Sequence, residues 1–140
     1  MNGKLNHVVI DGIKYPIKCD NLVLEEIQEK YGTINRFELE ITGLKIKTDK
    51  NGEILHGEDD GILYEKIEPS VKAINFALPL MINEGIAIEA EEEGKKAELI
   101  EKKAFLRDIN TSFLVLAKIV KEEFKQCFLI KKESPGEKVE

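Results

Sequence analysis

Residues 69–85 read PSVKAINFALPLMINEG and contain the pattern of the main helix. Its opening proline and serine suit the first turn of a helix, because a proline placed there gives up no helical hydrogen bond. Apolar residues then recur at three- and four-residue steps, the period of a helix with one buried face: Val71, Ile74, Leu78, Met81 and Ile82. Pro79 predicts a bend in this helix, and Gly85 predicts its end. The stretch therefore predicts one core helix over residues 70–84.

The N-terminus predicts a β-hairpin. Residues 5–10 and 13–18 read as strands and flank the pair Asp11-Gly12. That pair suits a type I′ turn, because both positions tolerate positive φ. Pro16 cannot donate a hydrogen bond to a neighbouring strand, so the second strand is expected at an edge there.

Four more segments have helical signals. Residues 20–31 begin with capping side chains and end before a glycine. Residues 33–43 fit a helix capped by their first threonine and fit a strand equally well, and we favour the helix. Residues 98–109 predict a shorter helix, and residues 111–128 predict a final helix capped by their first threonine.

The middle of the chain predicts a second hairpin. Residues 44–48 turn at residues 49–52, which contain Asn-Gly, into residues 53–55, and residues 56–61 read as a polar loop. The sequence thus predicts an α+β fold, with the N-terminal hairpin packed against a small bundle of three to four helices. We expect a single domain over residues 1–130 and a disordered tail over residues 131–140.

Composition narrows the function. A hydrophobic content of 42% with 34% charged residues is typical of a soluble globular protein. The net charge of −6 argues against nucleic-acid binding, which depends on clustered Lys and Arg. The longest apolar run, residues 76–82, is too short to cross a membrane, and no signal-peptide pattern opens the chain. We therefore expect a cytoplasmic protein that is not secreted. Residues 84–101 are acidic and residues 118–132 are basic, which fits self-association or simply two solvated faces.

Candidate catalytic and metal-binding residues are few. Cys19 and Cys127 fit two reduced thiols, and a catalytic pair of Cys19 with His7 lacks any supporting pattern. Residues 49–53 superficially resemble a calcium loop, but Ile54 occupies the position that needs glycine. From the sequence we therefore expect a protein that is not an enzyme and that binds no metal ion or cofactor.

The last helix has a broad apolar stripe with lysines beside it. The stripe comprises Phe113, Leu116, Val120, Phe124 and Phe128, and the lysines are Lys118, Lys121 and Lys125. Leu114, Val115 and Ile119 make the first half of this helix apolar nearly all round. Such a helix is either fully buried or covered by a partner. These eight stripe and lysine positions are the candidate partner-binding residues, with the protein core as the alternative.

Several segments together resemble one protein family. They are Ile10-Asp11-Gly12, EKYGTINRFE at residues 29–38, Leu44 after Thr42-Gly43, EPSVKAI at residues 68–74, LPLMINEG at residues 78–85, EAEE at residues 89–92 and EEFKQCF at residues 122–128. In these segments the chain resembles tail assembly chaperones of long-tailed phages and prophages of Gram-positive bacteria. The similarity runs from about residue 8 to residue 128.

This resemblance implies a non-enzymatic protein of the host cytoplasm. Such chaperones bind the helix-rich tape measure protein and keep it soluble while tail tube subunits polymerise around it, and they leave before the virion is finished. In many relatives a ribosomal frameshift adds a second domain that contacts the tail tube protein. The alternative is a structural tail component, a tube or tail-completion subunit that stays in the virion.

Overall fold

The computed structural model describes residues 5–138, with side chains described as far as Cys127. The elements, in chain order, are β1 (Asn6–Ile10), β2 (Ile13–Ile17), α1 (Asn21–Tyr31), α2 (Ile34–Thr42), β3 (Leu44–Ile46), β4 (Tyr64–Lys66), α3 (Val71–Glu93), α4 (Lys102–Asp108) and α5 (Phe113–Lys138). The predicted α+β fold is confirmed: one antiparallel hairpin opens the chain, and a second short one lies in the middle.

The N-terminal hairpin forms as predicted. β1 and β2 pair antiparallel with Val8 opposite Tyr15. Asp11 and Gly12 have φ values of 55° and 79°, the positive values that a type I′ turn requires at both central residues. The turn residues thus set the register of the hairpin.

Helix α3 crosses this hairpin at very short range. A Cβ atom on Gly85 would lie 2.6 Å from the backbone nitrogen of Ile17 and 2.6 Å from the carbonyl carbon of Pro16. The backbone N–H of Lys18 donates to the carbonyl of Met81 at 3.0 Å. The prediction that Gly85 ends the helix is wrong, because this glycine serves close packing and the helix continues to Gly94. The helix also continues through Pro79, and the bend there stays a prediction.

The core lies between α3 and the elements around it. Its fully buried large side chains come from the hairpin, α1, α2, α3 and α5: Ile10, Ile17, Val23, Ile27, Phe37, Ile41, Ile74, Leu78, Met81, Ile82 and Val120. Helix α3 is also long and apolar enough, by length and composition, to cross a membrane. Because many of its residues are buried in this core, its length and apolar composition are weak evidence for a membrane-spanning helix.

Capping side chains begin the helices. Asp20 accepts a hydrogen bond from the backbone of Val23, and Thr33 and Ser70 accept similar bonds at the starts of α2 and α3. The predicted cap of the last helix is wrong. Helix α5 begins at Phe113, and the hydroxyl of Ser112 accepts from the backbone N–H of Leu114 at 3.2 Å.

Thr111 has a different role. Its hydroxyl donates to the Asp11 carboxylate at 2.6 Å and accepts from the Asp11 backbone N–H at 3.2 Å. The same carboxylate accepts from the backbone N–H of Asn110 at 3.0 Å. The turn of the first hairpin therefore holds the loop between α4 and α5.

The second hairpin differs from the prediction. The turn at residues 49–52 forms, and Thr48 bridges to Ile54, but β3 pairs with β4 instead of residues 53–55. The reason is tertiary: the backbone N–H of Ile67 donates to the carbonyl of Gly43 at 2.7 Å and brings β4 alongside β3. Local turn signals cannot reveal such a pairing.

The end of α5 also differs from the prediction. The sequence placed it near Phe128, whereas the helix bounds run to Lys138. The side chains beyond Cys127, that of Phe128 included, lie outside the described residues. The domain boundary at residue 130 stays a prediction.

Candidate partner-binding surface

Most of the apolar stripe predicted on α5 lies inside the protein core. Leu116 and Val120 are buried, and Phe124 is 3% exposed with its ring edge-on to Phe37 at a centroid distance of 5.3 Å. Phe113 is half-buried against the same core. Helices α2 and α3 contact α5, so these residues take the core position that the sequence left open as the alternative. Binding of a partner by them stays a prediction.

The lysines lie on the outer side of the helix. Lys118 and Lys125 are exposed, and Lys121 is half-buried. They follow Leu114, which is 69% exposed, at steps of four, three and four residues, so the four side chains share one face. We call Leu114, Lys118, Lys121 and Lys125 the basic stripe. It remains available to a partner.

Residues 44–67 form a separate β structure, of which the sequence predicted only a hairpin over residues 44–55. Three backbone hydrogen bonds join Lys47, Leu55 and Leu63 in a cycle: Lys47 donates to Leu63 at 2.9 Å, Leu63 to Leu55 at 3.2 Å, and Leu55 to Lys47 at 3.0 Å. Three short β-ribbons radiate from this junction. We call the whole of residues 44–67 the three-armed unit.

Each arm has its own closure. The first arm is the β3–β4 pair, which leads back to α2 and α3. The second closes through Asp49, whose carboxylate accepts from the backbone N–H groups of Asn51 at 2.8 Å and Glu53 at 3.0 Å. The third closes where the backbone N–H of Gly57 donates to the carbonyl of Gly61 at 2.7 Å. Local hydrogen bonds therefore hold the second and third arms in shape.

The three-armed unit has no buried residue of its own. Six large apolar side chains in it are between 36% and 46% exposed: Ile54, Leu55, Ile62, Leu63, Tyr64 and Ile67. Small β-ribbons without a covered apolar face are marginally stable in water, and a concentration of exposed apolar residues marks an interaction surface. The unit is thus the best candidate for binding a partner.

A sequence signal for this surface did exist. The apolar pairs Ile54-Leu55 and Ile62-Leu63 stand eight residues apart and are separated by turn-forming residues. We expected residues 56–61 to be a polar loop, and they form the turn that the bridge between His56 and Ile62 closes into the third arm.

A groove of about 370 Å³ lies between the first hairpin and α4. Its lining is apolar and acidic: Ile10, Asp11, Ile13, Tyr15, Ile100, Glu101, Ala104, Phe105, Asp108 and Ile109. The rings of Tyr15 and Phe105 meet edge-on at 5.6 Å. Hydrogen bonds from Thr111 and Asn110 lower the pKa of Asp11, and bonds from the first turn of α4 lower that of Glu101. Both carboxylates therefore stay charged at neutral pH.

The buried polar groups serve the fold. The carboxylate of Glu123, 6% exposed, accepts from the Asn6 side chain at 2.8 Å and from the backbone N–H of Cys19 at 3.1 Å. A hydrogen bond with the Cys127 thiol, together with burial, raises the pKa of Cys19, which keeps it a neutral thiol. His7 bonds to Glu89 at 2.9 Å, so its imidazole is engaged away from the cysteines.

Among the side chains that the structure describes, residues 5–127, no group of three or more His, Cys, Asp or Glu is placed to hold a metal ion. In comparisons with known proteins, the chain matches no family model, no curated protein and no solved structure.

Proposed function

We propose that the chain is a tail assembly chaperone of a long-tailed phage or prophage. In this role it binds the tape measure protein in the host cytoplasm, keeps it soluble until tail tube subunits surround it, and performs no catalysis. The resemblance of residues 8–128 to that family supports the proposal. The structural observation that carries it furthest is the exposure of six apolar side chains on the three-armed unit.

The chemistry of the two partners is complementary. A long helical protein in transit presents apolar side chains every three or four residues, and these cause aggregation when they are uncovered. The three-armed unit presents apolar side chains on a small domain with a net charge of −6. When this unit covers a tape measure helix, the apolar surface of that helix is buried and the charged surface of the chaperone faces the solvent instead.

The unit is also held ready for binding. Its arms are closed by turns such as that at Asp49. Where the unit joins α2, the backbones of Gly43 and Ile67 pack so closely that a Cβ on Gly43 would lie 2.5 Å from the carbonyl oxygen of Ile67. Holding the apolar side chains in place beforehand lowers the entropy lost on binding.

Co-expression with the tape measure protein of the same phage tests the proposal. The wild-type chain should keep the tape measure protein in the soluble fraction. The double variant Ile54→Asp/Ile62→Asp should lose that effect, because two charges on the apolar arms oppose burial against a helix. The matched control is Leu22→Asp/Leu99→Asp, which places the same two charges on exposed leucines outside the unit and should behave as the wild type.

Two results would contradict the proposal at different levels. A tape measure protein that stays insoluble with the wild-type chain would remove the chaperone role. Equal solubility with the double variant and the wild type would remove the three-armed unit as the receptor. Recovery of the chain in purified virions would favour a structural tail subunit instead.

A further inference from the structure

The groove between the first hairpin and α4 has a complementary surface on the same molecule. Three carboxylates line it, from Asp11, Glu101 and Asp108, and no Lys or Arg does. The basic stripe of α5 begins with the exposed Leu114 and continues with lysines. One surface is apolar and acidic, and the other is apolar and basic.

These two surfaces are neighbours. The groove residue Asp11 is hydrogen-bonded to Asn110 and Thr111, which directly precede α5. Leu114 follows in the first turn of that helix. A second copy, turned about a two-fold axis, can therefore place its stripe at this groove while its own groove receives the first copy's stripe. Such a reciprocal contact is the common form of association between identical chains.

We propose that two copies of the chain associate in this way, with the groove of each copy receiving Leu114 and Lys118 of the other. Leu114 enters the apolar space beside Ile13 and Phe105. Lys118 meets the carboxylates at the rim. The contact uses residues outside the three-armed unit, so it is independent of tape measure binding.

On both surfaces an apolar part lies beside a charged part, and the two charges have opposite sign. Leu114 is 69% exposed, which is more than any other exposed large apolar side chain in the described part of the chain. An exposed leucine beside lysines suits a groove whose floor is apolar and whose rim is negative, because burial and charge attraction then act at the same contact. Exposed charge pairs are screened by salt, so the dimer should weaken as ionic strength rises.

Sedimentation velocity of the full chain over a concentration series tests the association. The wild type should show a species of twice the 15.9 kDa chain mass. Asp108→Lys and Lys118→Glu should each weaken the dimer by roughly tenfold or more, because each places like charges across the contact twice. An equimolar mixture of the two variants should restore the dimer, since each groove then faces a stripe of opposite charge.

Two controls make the same charge changes on the three-armed unit. Glu58→Lys and Lys50→Glu alter exposed residues away from the groove, and both should dimerise as the wild type. If a charge variant loses its helical circular dichroism, Ile13→Lys and Leu114→Asp, both at exposed positions, replace it and should also lose the dimer.

A wild-type chain that stays monomeric at every concentration overturns the proposal. So does a mixture of Asp108→Lys and Lys118→Glu that fails to dimerise, or a loss of dimer in the controls. A wild-type chain that dimerises but leaves the tape measure protein insoluble would count against the proposed function alone.

Discussion

The chain contains two β structures that start from similar turn signals and end in opposite surroundings. The first hairpin is covered by α3, and Ile10 and Ile17 are buried. The three-armed unit, also closed by Asp and Gly turn residues, has no buried residue. Turn chemistry therefore decides that a hairpin forms, and the element packed against it decides whether its apolar residues become core or surface.

Two glycines account for much of this difference. Gly85 allows α3 to lie directly against the backbone of β2, whereas Gly43, at φ 85°, turns the chain out of α2 into the three-armed unit. Gly85 thus lets the first hairpin pack into the core, and Gly43 lets the chain leave the core for the three-armed unit.

The largest expected effect comes from the buried face of α5. Phe124→Ala should lower the free energy of unfolding by about 3–5 kcal/mol, because it removes a buried ring that packs on Phe37. Leu114→Ala, on the exposed face of the same helix, should change it by less than about 0.5 kcal/mol. Urea unfolding followed by circular dichroism measures both. Equal losses would mean that the two faces are not packed differently.

Gly85→Ala should have the next largest effect. The added Cβ would lie 2.6 Å from β2 backbone atoms, which cannot move aside as a side chain can. We expect a loss of about 1–3 kcal/mol, typical of overpacking. Asn75→Ala, at a half-buried position of the same helix, is the comparison variant and should unfold at a urea concentration close to that of the wild type. A wild-type unfolding midpoint for Gly85→Ala would show that α3 does not lie against the hairpin as described.

A pH effect should come from the contact between α3 and α1. A hydrogen bond with Asp20, together with burial, raises the pKa of Glu84 to about 7 from its ordinary value of 4.5. The folded state therefore holds this proton more tightly than the unfolded state. Its contribution to stability is complete below pH 4.5 and is lost as the pH rises through about 7.

Glu84→Gln keeps a hydrogen-bond donor toward Asp20 at every pH. The variant should therefore melt at a higher temperature than the wild type at about pH 8, and the difference should vanish at about pH 5. Thermal melts at the two pH values measure this. Glu91→Gln, an exposed position of the same helix, should follow the wild-type profile. A Glu84→Gln melting curve that keeps the wild-type pH dependence would contradict the contact.

The smallest effect is expected on the three-armed unit. Ile62→Ser should change the free energy of unfolding by less than about 0.5 kcal/mol, because Ile62 is exposed and lies in a unit without a buried residue. The urea titration used for the α5 variants measures the free energy of unfolding of Ile62→Ser as well. A loss comparable to that of Phe124→Ala would mean that the unit belongs to the core.

Local sequence signals predicted the elements governed by local chemistry. Asp11-Gly12 made the first turn, and Asp20 and Thr33 capped helices as expected. Pro69 and Ser70 were expected in the first turn of α3, whereas the helix begins at Val71 and Ser70 is its cap. Gly85 was misread, because a glycine that ends a helix and one that admits a neighbouring backbone look alike in sequence.

Interactions between distant segments could not be predicted in the same way. The partner of β3 lies beyond two intervening turns, and the buried carboxylate of Glu123 bonds residues more than a hundred positions away. The α5 stripe showed that a helix face would be covered, and only the packed structure shows that the chain itself covers it.

Hydrogen–deuterium exchange of the chain, alone and with the tape measure protein, tests whether the three-armed unit is the receptor. Binding should slow exchange in residues 44–67, while the exchange of α1, α3 and α5 stays the same. The free three-armed unit should exchange faster than the first hairpin, because its hydrogen bonds are exposed to solvent. Slowed exchange confined to α4 and α5, or no change in residues 44–67, would show that the three-armed unit does not bind the tape measure protein.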